Sequence, residues 1–127
     1  MPRSLFIDHQ TKIVFSVFTG ELTNEALLAQ CAETSALPIT SEYRELVDLT
    51  GVTSITATGQ TIRAVASRPS PFSKTAPRVI LVGRSEQYGM GRMAQTYAEL
   101  SGSAPFAVAE TKEAAAKLLG VDPKLIP

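Results

Sequence analysis

Residues 46–59, with the sequence LVDLTGVTSITATG, combine a short apolar run, a glycine and a series of hydroxyl residues. The apolar run, which Asp48 interrupts, lacks a regular apolar–polar alternation, as do strands of parallel sheets that helices cover on both faces. Hydroxyl side chains cap helix N-termini, so the threonines before Gly59 are typical of a turn into a helix. The stretch therefore predicts a buried parallel strand over Arg44–Leu49 and a helix over residues 57–67, as in α/β folds.

The rest of the chain alternates strand and helix patterns in the same way. Two β-rich runs, Leu5–Asp8 and Lys12–Thr19, predict a hairpin with Leu5–Asp8 at the sheet edge. The later patterns predict a helix from Thr23 or Asn24 that ends before Pro38, an interior strand over Arg78–Gly83, a helix over Glu86–Leu100, a strand over Phe106–Ala109, and a helix from Thr111 to Gly120. The predicted order is β-β-α-β-α-β-α-β-α: one α/β domain over residues 1–127 with a five-stranded, mostly parallel sheet and about four helices.

Charge and composition exclude several partner classes. Twelve basic and twelve acidic residues cancel, which gives no global field for nucleic acid or a membrane surface. Residues 51–85 nevertheless hold five basic residues and no acidic one, which predicts a positive edge: Arg63, Arg68, Lys74, Arg78 and Arg84. No apolar run has the roughly 18 residues of a membrane span, and the N-terminus has no signal-peptide core. With a single cysteine, Cys31, these features predict a cytoplasmic protein without an integral membrane segment.

The LVDLTGVTSITATG stretch resembles the conserved region of STAS domains, the fold of bacterial anti-sigma factor antagonists of the SpoIIAA type. In that family an apolar-Asp-Leu-Ser/Thr-Gly-Val strand leads into an Asp-Ser-Ser-Gly helix start. The RVILVG strand, the QYGMGRM segment and the TKEAAAKLL helix more specifically resemble the SpoIIAA-like subfamily, which has been likened to CRAL-TRIO lipid-transfer domains. The resemblance covers nearly the whole chain and implies a STAS/SpoIIAA-like fold.

The family motif also implies a candidate phosphorylation site. Thr58 falls where the family has its phosphorylated Ser before Gly59, and Thr56 falls where the family has Asp. A phosphoryl group at a helix N-terminus meets unpaired backbone N–H groups and the positive end of the helix dipole. The alternative is that Thr56 or Thr58 only caps the helix.

Other candidate chemistries have little support in the sequence. His9 is the only histidine, it falls in a predicted turn, and no ligand cluster at metal spacing accompanies it. Gly83, Gly89 and Gly91 fit neither a dinucleotide-binding nor a Walker A spacing. We therefore expect no catalytic residue, metal or cofactor.

A set of adaptable and charged side chains follows the predicted strand ends. Phe72 belongs to the Pro-rich segment RPSPFSKTAP, residues 68–77, which predicts a surface loop. Ligands of open α/β sheets bind outside the carboxyl ends of the strands. The candidate ligand- or partner-binding residues are Asp48, Thr56, Thr58, Gly59, Phe72, Arg84, Tyr88, Met90, Arg92 and Met93, with Arg84 and Arg92 predicted to contact an anionic group.

These patterns favour a non-enzymatic binding module, in the first place a regulatory domain that binds a protein partner. The alternative is a carrier or sensor of a small amphipathic or lipid ligand. A partner-binding switch needs an exposed helix start at Thr58, whereas a carrier needs an enclosed apolar cavity. The sequence leaves the oligomeric state open, including a homodimer.

Overall fold

The computed structural model describes residues 2–68, 72 and 76–127, so most of the predicted Pro-rich loop, including Lys74, lies outside the described residues. The described residues form five strands: β1 (Arg3–Asp8), β2 (Ile13–Leu22), β3 (Arg44–Ile55), β4 (Arg78–Leu81) and β5 (Ala107–Ala109). The helices are α1 (Asn24–Ser35), α2 (Gly59–Ala66), α3 (Ser85–Ser101) and α4 (Lys112–Leu119), followed by a short 3-10 helix over Pro123–Leu125.

The strands lie side by side in the order in which they occur in the sequence, β1-β2-β3-β4-β5. β1 is antiparallel to β2, and the other neighbouring pairs are parallel. This arrangement confirms the predicted α/β fold, with β1 at the edge and β3 and β4 in the interior. The connections from β2 to β3, from β3 to β4 and from β4 to β5 are right-handed crossovers, and each moves one strand further in the same direction across the sheet. Their helices α1, α2 and α3 therefore lie on the same face of the sheet.

Two apolar layers cover the sheet. On the face of α1, α2 and α3, the core contains residues from all three helices and from the middle of the sheet, including Leu27, Leu49, Ile62, Ile80 and Ala94. On the opposite face, α4 packs with Ala115 and Leu119 against residues that alternate with the first set, including Leu46 and Val79. Burial of both faces explains why β3 and β4 do not alternate between apolar and polar residues.

β3 is longer than predicted. The sequence predicts a strand end at Leu49, before Gly51, but β3 continues to Ile55. Over this second half it pairs with β2, from Gly51 beside Thr19 to Ile55 beside Leu22, whereas its pairing with β4 ends at Asp48. Tertiary pairing with β2 outweighs the weak strand preference of Gly and Ser here.

The predicted hydroxyl caps are present at three helix starts. Thr23, Thr58 and Thr111 precede α1, α2 and α4, and each side chain accepts a hydrogen bond from the backbone N–H three residues later. Gly120 ends α4 as predicted, with a φ of 75° that favours glycine. The sequence therefore specifies these helix boundaries by local side-chain chemistry.

Candidate functional site

Thr58 lies exposed at the start of α2, where it joins two helix starts. Its Oγ1 accepts from the backbone N–H of Thr61 at 3.3 Å, and its own backbone N–H donates to Oδ1 of Asn24 at 2.8 Å. Thr56, two residues earlier, donates from Oγ1 to Oε1 of Glu21 at 3.0 Å. Both threonines thus have structural hydrogen bonds, and the hydroxyl of Thr58 also faces solvent.

Asp48 makes a local contact within β3. Its Oδ1 accepts from the backbone N–H of Thr50 at 2.9 Å and from the hydroxyl of Thr50 at 2.6 Å. This carboxylate fixes the backbone where β3 passes the end of β4. Asp48 therefore supports the path of the strand.

The charged and aromatic residues at the start of α3 are exposed. Arg84 is the residue before the helix, and Tyr88 and Arg92 lie on its first turns with their side chains in solvent. They do not line either of the two concave surfaces described below. Their role as ligand contacts stays a prediction.

An open groove lies beyond the end of β4, between the starts of α2 and α3. Three of the predicted residues, Gly59, Met90 and Met93, line this strand-end groove together with Ile55 and Glu86. The groove is the predicted location at the carboxyl end of the sheet. It is more open to solvent than the cavity described next.

A second and more enclosed space lies beneath the helices. This helix-side cavity, with a volume of about 110 Å³, lies between the sheet and helices α1, α2 and α3. Most of its wall is apolar and includes Leu27, Val47, Leu49, Ile62, Val65, Ala66, Ile80, Met90, Ala94 and Phe106. Phe72 and Met90 are the predicted site residues in this wall. Four of the ten predicted residues thus line the groove or the cavity, with Met90 in both, and the other six line neither.

A buried ion pair forms part of the cavity wall. Glu45 and Arg78 are direct neighbours across β3 and β4, and Nε of Arg78 donates to Oε1 of Glu45 at 2.9 Å. Their side chains are only 6% and 11% exposed. Since an isolated charge in an apolar interior is costly, each group stabilises the other. Glu45 is not among the site residues that the sequence predicts.

Two aromatic rings hold the guanidinium of Arg78. Its Cζ lies 3.9 Å from the ring centroid of Phe106 and 5.2 Å from that of Phe72, distances typical of cation–π contacts. Its Nη1 also donates to the carbonyl oxygen of Ala104 at 3.0 Å. Arg78 is therefore fixed in place at the cavity wall.

The remaining polar groups around the cavity bond mainly to the protein. Gln30 donates from Nε2 to Oγ of Ser16 and to the carbonyl oxygen of Ser4, both at 2.8 Å. Thr34 donates to the carbonyl oxygen of Gln30. Half-buried Cys31 accepts a weak hydrogen bond from Nη1 of Arg68 at 3.7 Å. These contacts leave Glu45 as the most deeply buried charged group of the wall.

His9 lies outside this wall, on the turn between β1 and β2. Its Nδ1 is 2.7 Å from the hydroxyl of Tyr43. Among the described residues, no three His, Cys, Asp or Glu side chains are grouped so that they could hold a metal ion.

Comparisons with known proteins bear on the fold. No family model matches the sequence, and a search of curated proteins finds no match. A solved structure of an uncharacterised protein of the DUF3478 family from Shewanella loihica PV-4, described as having a SpoIIAA-like fold, superposes with a TM-score of 0.59 at 18% identity. The match covers 91% of this chain and 93% of the other. The chain has a SpoIIAA-like fold. In the part of the chain that the structure describes, no helix is both long and apolar enough to span a membrane.

Proposed function

We propose that this SpoIIAA-like protein is a non-enzymatic binding module whose helix-side cavity holds a small, mainly apolar ligand. The observation that carries the proposal is the cavity itself: an apolar wall of three helices and a sheet around about 110 Å³, with one buried ion pair. Ligand sites generally combine an apolar wall with a few fixed polar groups. The proposal favours the carrier or sensor alternative over a surface that binds only proteins.

The size of the cavity sets the size of the ligand. An aliphatic cavity of about 150 Å³ binds benzene, so about 110 Å³ fits a molecule of at most single-ring size. A long acyl chain exceeds this volume. We also propose that the protein works in the cytoplasm, because its lone Cys31 suits a reducing compartment.

The test is an NMR titration with toluene and two alanine variants. Toluene should shift the backbone amides of residues that line the cavity. In Ala66→Leu, a larger side chain projects from the cavity wall, and this variant should lose the shifts. Ala64→Leu adds the same side chain on the exposed face of α2 and should keep them. If toluene leaves the wild-type spectrum unchanged, or if the two variants bind equally, the proposal is wrong.

A second candidate function is a regulatory interaction with a protein partner, which the exposed position of Thr58 at the start of α2 favours. A phosphoryl group there adds negative charge to a helix N-terminus without burial. Mass spectrometry of the protein from its own organism should then find phosphate on Thr58. Thr58→Glu should lose a partner that Thr58→Ala retains. Unmodified Thr58 under all growth conditions would favour a capping role alone.

A further inference from the structure

We infer that the ligand of the helix-side cavity presents a hydrogen-bond donor, a hydroxyl or an amine, to the carboxylate of Glu45. This inference rests on the proposed function and names the polar chemistry of the ligand. A carboxylate has about four acceptor positions. Among the described residues, the only hydrogen bond to the Glu45 carboxylate comes from Nε of Arg78, at 2.9 Å.

The Glu45 carboxylate lies beside the cavity. Glu45 is 4% exposed as a residue and forms part of the cavity wall. A hydroxyl or amine of a ligand would add a charge-assisted hydrogen bond to this carboxylate, and such bonds are stronger than those between neutral groups. The apolar remainder of the wall receives the rest of the ligand.

An anionic ligand fits this wall poorly. The positive charge of Arg78 is already offset by Glu45, and two aromatic rings cover its guanidinium. A carboxylate in the cavity would lie near the carboxylate of Glu45, and like charges in an apolar site repel strongly. Arg84 and Arg92, which the sequence predicts as anion contacts, do not line the cavity. Arg68 also lines the cavity, but it is exposed and bonds to Sγ of Cys31, so the selection against small carboxylates applies to the buried part of the wall beside Glu45.

Four compounds that share one phenyl ring separate the alternatives: toluene, benzyl alcohol, benzylamine and benzoate. We expect benzyl alcohol and benzylamine to bind the wild-type protein roughly three- to tenfold more tightly than toluene, the gain of one hydrogen bond. Benzoate should bind more weakly than toluene. Dissociation constants come from NMR titrations at one pH and ionic strength.

Glu45→Gln tests which group makes the contact. The amide keeps the shape of the side chain but removes its charge and adds a donor. The ratio of the dissociation constant of benzoate to that of benzylamine should therefore fall at least threefold. Glu99→Gln, the same substitution at an exposed position of α3 that does not line the cavity, should leave the preference unchanged.

The wild-type series is decisive even if Glu45→Gln does not fold. If benzoate or toluene binds as tightly as benzyl alcohol, and Ala66→Leu abolishes that binding, the cavity is a ligand site and the donor inference is wrong. If none of the four compounds binds, the proposed function itself fails for ligands of this size. The two failures are therefore distinguishable.

Discussion

Gln87 donates from Nε2 to the carbonyl oxygen of Val52 at 2.8 Å. This bond gives a partner to a backbone group of β3 that lies beyond the last residue paired with β4. On its other side, Oε1 of Gln87 accepts from the backbone N–H groups of Gly83 and Arg84 at 2.7 and 3.2 Å. Gln87, which is 1% exposed, thus makes the backbone hydrogen bonds that further residues of β4 would otherwise make. It connects the loop after β4 to the extension of β3.

Gln87→Met is expected to lower the free energy of unfolding by about 2 kcal/mol, because it keeps the length of the side chain but leaves the buried carbonyl oxygen of Val52 and the N–H groups of Gly83 and Arg84 without this partner. Gln60→Met, on the exposed surface of α2, should change it by less than about 0.5 kcal/mol. Urea denaturation measures both. Equal stabilities of the two variants would show that water replaces the Gln87 contacts.

Arg78→Met should cost about 3–5 kcal/mol of stability, because it leaves the carboxylate of Glu45 buried without its partner. Replacing both residues by Met should cost less than Arg78→Met alone, since no charge then remains in the apolar wall. Arg92→Met is the exposed control. Urea denaturation of the single and double variants gives the coupling free energy between Glu45 and Arg78. If the two single changes in stability add up to that of the double variant, the two charges do not stabilise each other.

The glycines at 51 and 89 should respond to alanine in opposite directions. A Cβ on Gly51 would lie 2.9 Å from Cγ2 of Thr19 and 3.3 Å from the carbonyl oxygen of Phe18, so Gly51→Ala should destabilise the protein by about 1–2 kcal/mol. Gly89 has no atom within 4 Å of such a Cβ and lies inside α3, so Gly89→Ala should stabilise it by up to about 1 kcal/mol. Thermal unfolding measures the stability of both variants. A midpoint temperature that rises in both, or falls in both, would be inconsistent with this geometry.

Thr58→Ala should lower stability by about 1 kcal/mol, because the backbone N–H of Thr61 loses its acceptor. Thr58→Ser keeps the hydroxyl cap and should lose less than half as much. Thr53→Ala, an exposed change in β3, controls for loss of a threonine methyl group. If Thr58→Ala is as stable as wild type, the hydroxyl cap contributes little to the stability of the fold.

The ion pair with Lys12, by its hydrogen bond and its charge, lowers the pKa of the Glu42 carboxyl below its ordinary value of 4.5. Because this pKa is lower in the folded chain than in the unfolded one, the pair stabilises the fold above about pH 4.5 and loses that contribution as the pH falls through the folded pKa. Lys12→Gln should return the pKa of Glu42 toward 4.5 in an NMR titration. High salt should have a similar but smaller effect, since both groups are exposed.

Local patterns predict the element order, the edge position of β1 and the three threonine caps, because each depends on residues within a few positions of one another. The Glu45–Arg78 pair depends on the register between β3 and β4, which the sequence alone does not specify. The end of β3 is missed for a related reason: Gly51 weakens a strand locally, and pairing with β2 maintains it. Phe72 and Met90 of the predicted set line the cavity, whose location depends on the packing of three helices, and their role as ligand contacts stays a prediction.

The strand order also bears on how the chain folds during synthesis. Since every strand lies beside the one that precedes it in the sequence, each new strand adds to an edge that already exists, and no strand has to insert between two others. Each parallel pairing nevertheless joins residues about 30 positions apart, such as Ile13 and Arg44 or Val79 and Ala107, and such non-local pairings form more slowly than the local contacts of helical bundles. The last strand, β5, has only three residues and completes the sheet at the edge opposite β1. A nascent chain that lacks β5 and α4 therefore already contains all the residues of the β3–β4 pairing, including Glu45 and Arg78.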